Sequence, residues 1–514
     1  MRAAGLASTG VHAGPLRFQY VLYPVALSDL VRRVETTPIL SDLRPWVHTA
    51  QSSDALKVKR AAGSLSALLL HALRSDPGRP LCCVVPTEDQ AAYVQSDLEH
   101  LAGSDRGIVR FPATHRTPYD TGALRDSSPL VARADVMQQL SDRFEGVVVT
   151  SVEALSERVP PASEVDHDTL AIATGDAWAL DALVERLVDQ GFTHTEFVEQ
   201  PGDLARRGGI LDVFPYSGVH PIRIEFFGDE IDSLREFDVQ TQRSVSQRSE
   251  VRLVPNLERD SADRQAVAFL EHLPPNTVLA TFDEDRLIED AEALFDTAVT
   301  RYQQALDRAE DAPDDVTDEA DAADLPHPND RFLTADALRQ HLHQHPRLLF
   351  GTFTHGTDPE GTETLDAGGA PQPSFNSEMD VLRDRLKQNS ERGLDTFILC
   401  DSHGQARRLR DLLETDIDHG RARLQVESLH EGFEHEGLGL AVYTDHQIFN
   451  RYHRPSTKRR QQRTGGLSLR DIENLSPGDF VVHVDHGIGT FAGMKKITVR
   501  GKQQEAVRLN FADG

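Results

Sequence analysis

Leu81-Cys82-Cys83-Val84-Val85 is an unbroken apolar run set between residues 65–73 and 89–101, two stretches whose apolar side chains recur at helical spacing. A strand that is apolar at every position is buried on both faces, as in a parallel sheet covered by helices. A second such run, 146–151, follows a helical stretch at 128–144 and is closed by Pro160-Pro161, which continues the alternation. Residues 31–171 therefore read as an α/β domain behind an N-terminal tail, 1–30.

The texture changes at 172. A helix (180–190) precedes strands at 209–214, 221–227 and 231–237, which gives a small α+β domain over 172–254. Helix and strand alternate again over 255–378, interrupted by an acidic run, 307–324, that reads as a solvated loop. A second small α/β domain follows at 393–450, with strand 394–400, helix 404–415 and strand 438–444. Arg451, Arg454, Lys458, Arg459, Arg460 and Arg463 then open a basic linker, 451–474, in which phosphate contact and simple solvation are both open readings. Residues 475–514 are strands and turns: 480–484, 490–499 broken at Gly493, a turn at 500–502, and 505–511. So few short strands do not close a β-domain, so the chain is expected to be an N-terminal fragment of a longer protein.

At 514 residues the chain holds several cores. Acidic residues number 82 against 54 basic ones, a formal charge of -28 that repels nucleic acid at long range, weakens a reading as a general coat protein and leaves room only for local DNA contact. Lysine occurs only at 57, 59, 387, 458, 495, 496 and 502, a bias that fits high salt and a GC-rich genome equally. Cys82, Cys83 and Cys400 make neither a disulfide framework nor a metal-ligand spacing. Without a signal peptide or apolar span, a cytoplasmic protein with no membrane contact is expected.

Enzymatic chemistry is hard to find. A phosphate loop needs a glycine-rich turn followed by Lys and Ser/Thr, and the corresponding place reads Ala61-Ala62-Gly63-Ser64-Leu65, without the ammonium or the magnesium-held hydroxyl. Val278-Leu-Ala-Thr-Phe-Asp283-Glu284 has the form of a magnesium-binding strand end, but acids at a helix start give the same pattern. His341, His343 and His345 alternate as ligands on a strand would. The helical stretch 334–340 ahead of them leaves only His341 and His345 on one face.

The middle domain says more. Ile222-Arg223-Ile224-Glu225-Phe226-Phe227 alternates strictly, so Arg223, Glu225 and Phe227 share a face. With Ile222, Ile224 and Phe226 in the core, Phe227 stands in solvent beside an arginine and a carboxylate, either a protein-binding anchor or cross-strand packing. Arg206-Arg207-Gly208-Gly209 would present a guanidinium at the sheet rim, free for a carboxylate or paired internally with Asp212 or Glu225.

The run Arg206-Arg-Gly-Gly-Ile-Leu-Asp-Val-Phe-Pro215, followed by Ile222-Arg-Ile-Glu-Phe-Phe-Gly-Asp-Glu-Ile-Asp-Ser-Leu-Arg-Glu-Phe-Asp238, resembles the module shared by UvrB and the bacterial transcription-repair-coupling factors (Mfd). Phe111-Pro112, Thr117-Pro118-Tyr119-Asp120 and residues 147–155 are similar to that module's first domain. Pro477-Gly-Asp-Phe-Val-Val-His-Val-Asp-His-Gly-Ile-Gly-Thr-Phe-Ala-Gly493 resembles the start of the RNA-polymerase-interacting domain of the coupling factors, which UvrB lacks and CarD-type regulators share.

The resemblance covers about residues 30–514. It implies a degenerate helicase-like parallel-sheet domain (31–171 with 255–378) carrying the inserted domain 172–254, the small α/β domain 393–450, and a truncated Tudor/SH3-like β-barrel at 475–514. UvrA and the RNA polymerase β subunit are the implied partners. Arg207, Arg223 and Phe227 match positions that contact UvrA, Glu225 matches a UvrB carboxylate at the same surface, and Ile497 lies where an apolar side chain meets polymerase. The resemblance places the ATP- and magnesium-dependent translocase motor, with most DNA contact, in domains downstream, so no catalytic, cofactor or metal residue is expected in this chain. Two rivals are a UvrB-like excision nuclease subunit, against which the missing Lys-Thr pair counts, and a complete, motorless regulatory adaptor.

Overall fold

The computed structural model describes residues 27–74, 79–103, 107–114, 119, 128–141, 144–218, 220–239, 241–254, 256, 266–311, 325–351, 363–451, 478–483, 487–499 and 502–511. Seven parallel strands form one sheet, in the order Glu363–Asp366, Ala55–Lys59, Arg347–Phe350, Val278–Phe282, Leu81–Val85, Val147–Ser151 and Ile108–Phe111. Strands from before residue 172 and after residue 254 thus interleave in a single sheet.

Period-2 alternation sorts its side chains: Leu81, Cys83 and Val85 face one layer of helices, Cys82 and Val84 the other. Helices Leu27–Glu35, Pro38–Thr49, Leu65–Arg74 and Glu88–Ala102 cover the first face. Ser128–Ser141, Val152–Ser156, Glu284–Asp311 and Ala335–Leu342 cover the second. Helix Glu88–Ala102 shows how locally its ends are encoded: Thr87 Oγ1 accepts the Gln90 amide, and Gly103 ends it at φ 65°.

Three expected boundaries shift. The tail 1–30 ends early, because Leu27, Leu30 and Val34 recur at i, i+3 and i+7 and are buried on one side of a helix. Helix Glu284–Asp311 runs into the acidic stretch and takes its first residues; residues 312–324 lie outside those described. The second α/β domain begins near 369, not 393. Strand Gly369–Pro371 and helix Met379–Glu391 belong to its five-stranded sheet unit, the helix held by Leu382 and Leu386 one turn apart in a charged sequence. That sheet runs Gly369–Pro371, Phe433–His435, Leu440–Thr444, Asp395–Leu399, Arg423–Gln425. Phe397, Leu399, Phe433, Leu440 and Val442 share a core with the first sheet.

At the C-terminal end, Phe480–His483, Gly487–Val499 and Lys502–Phe511 pair antiparallel, with a bulge between Phe491 and Met494 next to Gly493 at φ 101°. Of the basic linker only Arg451 is described, and it is not a free linker residue: its Nη2 lies 2.7 Å from Asp445 Oδ2. No helix among the described residues is long and apolar enough to cross a membrane.

Burial lowers the pKa of His71, His272, His341, His343, His345 and His435 below the ordinary imidazole value of 6.5. The unfolded chain then binds more protons than the folded one once pH drops through 6.5, so stability present at neutral pH is lost as these histidines are forced to charge. Burial raises the carboxyls of Glu431 and Asp445, an opposing effect confined to these two groups among the described residues. Thermal unfolding midpoints should therefore fall from pH 7.5 toward pH 5.5. A midpoint that rises over this interval would refute the assignment.

Candidate partner-binding face

The inserted domain enters through strand Leu170–Ala173 and leaves through Glu250–Leu253, which pair antiparallel with Leu170 opposite Leu253. Between them lies a six-stranded sheet in the order Ser244–Arg248, Glu230–Phe237, Ile222–Phe227, Ile210–Val213, Asp203–Arg207, Thr193–His194. Leu204, Leu211, Val213, Ile222, Ile224, Ile231 and Leu234 pack its inner face against Leu183 and Leu187 of helix Leu180–Asp189. Phe226 is only partly buried against this core. The pairing skips Asp232 in the neighbouring strand, so the alternation along 222–227 survives the irregularity.

The other face carries the charges. Asp212 is 1% exposed, and Arg223 grips it with two parallel bonds, Nε to Oδ1 at 2.7 Å and Nη2 to Oδ2 at 2.8 Å. This bond raises the Arg223 pKa further, and the guanidinium also lies 4.5 Å from the centre of the Phe237 ring. Arg207 comes within 3.8 Å of the same carboxylate and stacks 4.5 Å over Phe197. Glu225 Oε2 accepts from Ser233 Oγ at 2.7 Å and Arg235 Nη2 at 2.6 Å, while Arg206 pairs with Asp181 instead. At the end of this lattice Phe227 is 81% exposed, and Phe197 49%.

Arg207, Arg223, Glu225 and Phe227 are thus brought onto one face, and the internal pairing to Asp212 also exists. Arg223 does point away from the apolar core, yet it neutralises a buried carboxylate, so its removal cannot leave the fold untouched. Phe197 was missed because it sits in a loop with no periodicity. Arg235 and Phe237 lie on the adjacent strand, whose register only the structure gives.

The phosphate-loop remnant is filled. Ser64 Oγ donates to Asp97 Oδ2 at 2.5 Å and accepts the Glu431 amide at 3.0 Å. Asp97 Oδ1 also accepts the His430 amide at 2.7 Å, and the His430 ring stacks on Tyr93 at 3.5 Å. Gly63 stands at φ 53°, where a Cβ would lie 2.5 Å from the Gly432 carbonyl oxygen. Residues 430–432 of the second α/β domain therefore occupy the concavity that would cradle a phosphate, and Leu65 is buried.

Asp283, at φ 51°, lies beside Gly351, and Glu284 accepts from Thr281 Oγ1 at 3.0 Å and pairs with Arg347. Both are tied into the helix start. His341 and His343 approach different carboxylates, Glu271 at 3.9 Å and Glu284 at 3.8 Å, and His345 Nδ1 lies 3.3 Å from the Thr277 carbonyl, so the three do not converge. The cysteines are buried, and burial pushes Cys82 and Cys400 up to about 12, which keeps them unreactive. Ile497 stands in strand Gly487–Val499 opposite Gln504.

Residues 170–258 match the UvrB interaction domain family, and residues 475–514 the CarD-like/TRCF RID domain family. The chain is 23% identical over 509 residues to the transcription-repair-coupling factor of Bacillus subtilis, covering 88% of this chain and 43% of that one. The factor of Myxococcus xanthus is 28% identical over 531 residues with the same two coverages, and that of Haemophilus influenzae 25% over 481 residues, with 84% and 41% covered. The chain thus spans about two fifths of the length of these relatives (43%, 43% and 41%). Among solved structures, Mss116p bound to ssRNA and AMP-PNP aligns over 77% of this chain and 59% of that one at 9% identity, with a TM-score of 0.20 that carries no argument. With a UvrB interaction domain match and a CarD-like/TRCF RID match in that order, the chain is similar to transcription-repair-coupling factors over most of its own length.

Proposed function

We propose that this chain is the adaptor half of transcription-coupled excision repair: the 170–258 domain recruits UvrA, and the 475–514 segment engages the RNA polymerase β subunit. The observation that carries it is Phe227, exposed beside arginines already locked in place, within residues that match the UvrB interaction domain. An aromatic anchor next to preorganised guanidinium groups is the composition of a protein-binding hot spot. In the layout proposed, 31–171 and 255–378 form a degenerate helicase-like domain, 172–254 the UvrA-binding insert, and 475–514 part of a Tudor/SH3-like barrel. The ATP-driven release of stalled polymerase and the main DNA contacts belong to motor domains beyond this region. The protein acts in the cytoplasm. A pull-down with UvrA as bait for this chain, and polymerase β as bait for the chain extended through the rest of its C-terminal domain, tests both contacts, and failure to retain either would sink the adaptor reading.

The filled phosphate-loop remnant favours this reading over a UvrB-like nuclease subunit. Equilibrium binding of labelled ATP with magnesium should detect no saturable site; micromolar binding abolished by Asp283→Ala would restore the enzyme reading. For the polymerase contact, residues 495, 497 and 499 share one strand face. Ile497→Arg in a chain extended through the rest of the domain should abolish polymerase β binding and leave UvrA binding intact. Wild-type polymerase affinity in that folded variant removes Ile497 from the contact.

A further inference from the structure

In the second α/β domain, strands Asp395–Leu399 and Leu440–Thr444 run parallel with Leu399 opposite Thr444, so both deliver the residues that follow them to the same edge. Ligands of open α/β sheets bind at such carboxyl ends. Asp401 leaves the first strand there, and Asp445 and His446 leave the second. One ligand atom from each of these three residues lies within 4.8 Å of the others, so side-chain adjustments of a few tenths of an ångström bring all three to within about 2.0–2.2 Å of a common ion.

Three features give the cluster the character of a cation site. Asp445 is 1% exposed and its Oδ2 is taken by Arg451, but its Oδ1 is fully buried and, among the described residues, accepts no hydrogen bond. Burying a carboxylate oxygen without a donor is costly, and a bound cation removes that cost. The second feature is the tautomer of His446. Its Nε2 lies 2.7 Å from the His430 carbonyl oxygen, which can only accept, so Nε2 carries the proton and the lone pair of the neutral ring sits on Nδ1, 4.0 Å from Asp445 Oδ1. Metal-bound imidazoles are oriented in this way, with the far nitrogen donating to a carbonyl. The third is an open side: Asp401 is exposed, and its Oδ1 is steered by Ser428 Oγ at 2.9 Å.

We propose that Asp401, Asp445 and His446 Nδ1 bind one divalent first-row cation, Zn2+ or Mn2+, with the remaining positions open to water. Two carboxylates and one imidazole suit these ions, and three protein ligands leave room for solvent.

The test uses the full chain, freed of any affinity tag and stripped with a chelator. Calorimetric titration with Zn2+ and Mn2+ should show one ion per chain, and Co2+ should give d–d absorption without a thiolate charge-transfer band. Asp401→Asn should weaken binding ~10-fold or more. That residue is exposed and its amide oxygen still accepts from Ser428, so the fold is kept, which circular dichroism verifies. Zn2+ should raise the thermal midpoint of the wild type and not of Asp401→Asn; Asp445→Asn should behave likewise. No saturable binding of either ion, unchanged affinity in Asp401→Asn, or a thiolate band with Co2+ would each overturn the assignment. The first of these would mean that a second proton on His446, not a metal, faces Asp445.

Discussion

Phe227→Ala should weaken UvrA binding by about 2 kcal/mol, roughly 30-fold, with no change in thermal unfolding. The ring is 81% exposed, so its truncation removes contact area from the complex and almost nothing from the folded chain. Arg223→Ala should lose as much affinity but also about 3 kcal/mol of stability, because it strands the buried Asp212 carboxylate with only Arg207, 3.8 Å away. Calorimetric titration of UvrA beside denaturant unfolding separates the two effects. Should Phe227→Ala bind UvrA normally, the aromatic is no anchor and the face loses its assignment. Arg207→Ala should fall between wild type and Arg223→Ala, since its guanidinium is half exposed and screened by water.

The second large effect concerns the filled phosphate-loop remnant. Gly63→Ala should destabilise the chain by about 3 kcal/mol, combining left-handed strain of about 1–2 kcal/mol with a clash that displaces residues 430–432. Gly208, at φ 62° with nothing within 4 Å of a built Cβ, is the control. Gly208→Ala should cost only the strain, about 1 kcal/mol. Equal losses at both glycines would mean that the 430–432 loop yields freely and does not hold the two sheets together. A larger loss at Gly63, with new protease cleavage near residue 430, is the expected result.

The parts of this molecule that depend on periodicity were readable in advance. The apolar run 81–85 announced a strand covered on both sides, and the alternation of 222–227 put Phe227 in water. What could not be read depends on which distant segments meet. Nothing in Gly63-Ser64-Leu65 names Glu431 as the group that seats on it, and the only hint, the absent lysine, says merely that no phosphate is held. Arg223 shows the same limit within the candidate site. Alternation fixes the face it occupies, but whether it reaches outward or grips Asp212 depends on cross-strand register. The late start assigned to the second α/β domain has another cause. Helix Met379–Glu391 carries so many charges that only the Leu382–Leu386 pair betrays it.

The paired entry and exit strands of the inserted domain have an evolutionary reading. With Leu170 opposite Leu253, the two points at which the chain crosses into the insert lie about 5 Å apart. A recipient needs no more than a surface turn to accept such a segment, and a donor that loses it can be closed with a few residues. The inserted domain is in this sense portable cargo. Its outer face, core and closure all lie inside one contiguous stretch of gene, so the whole unit can move between chains without its interior being rebuilt.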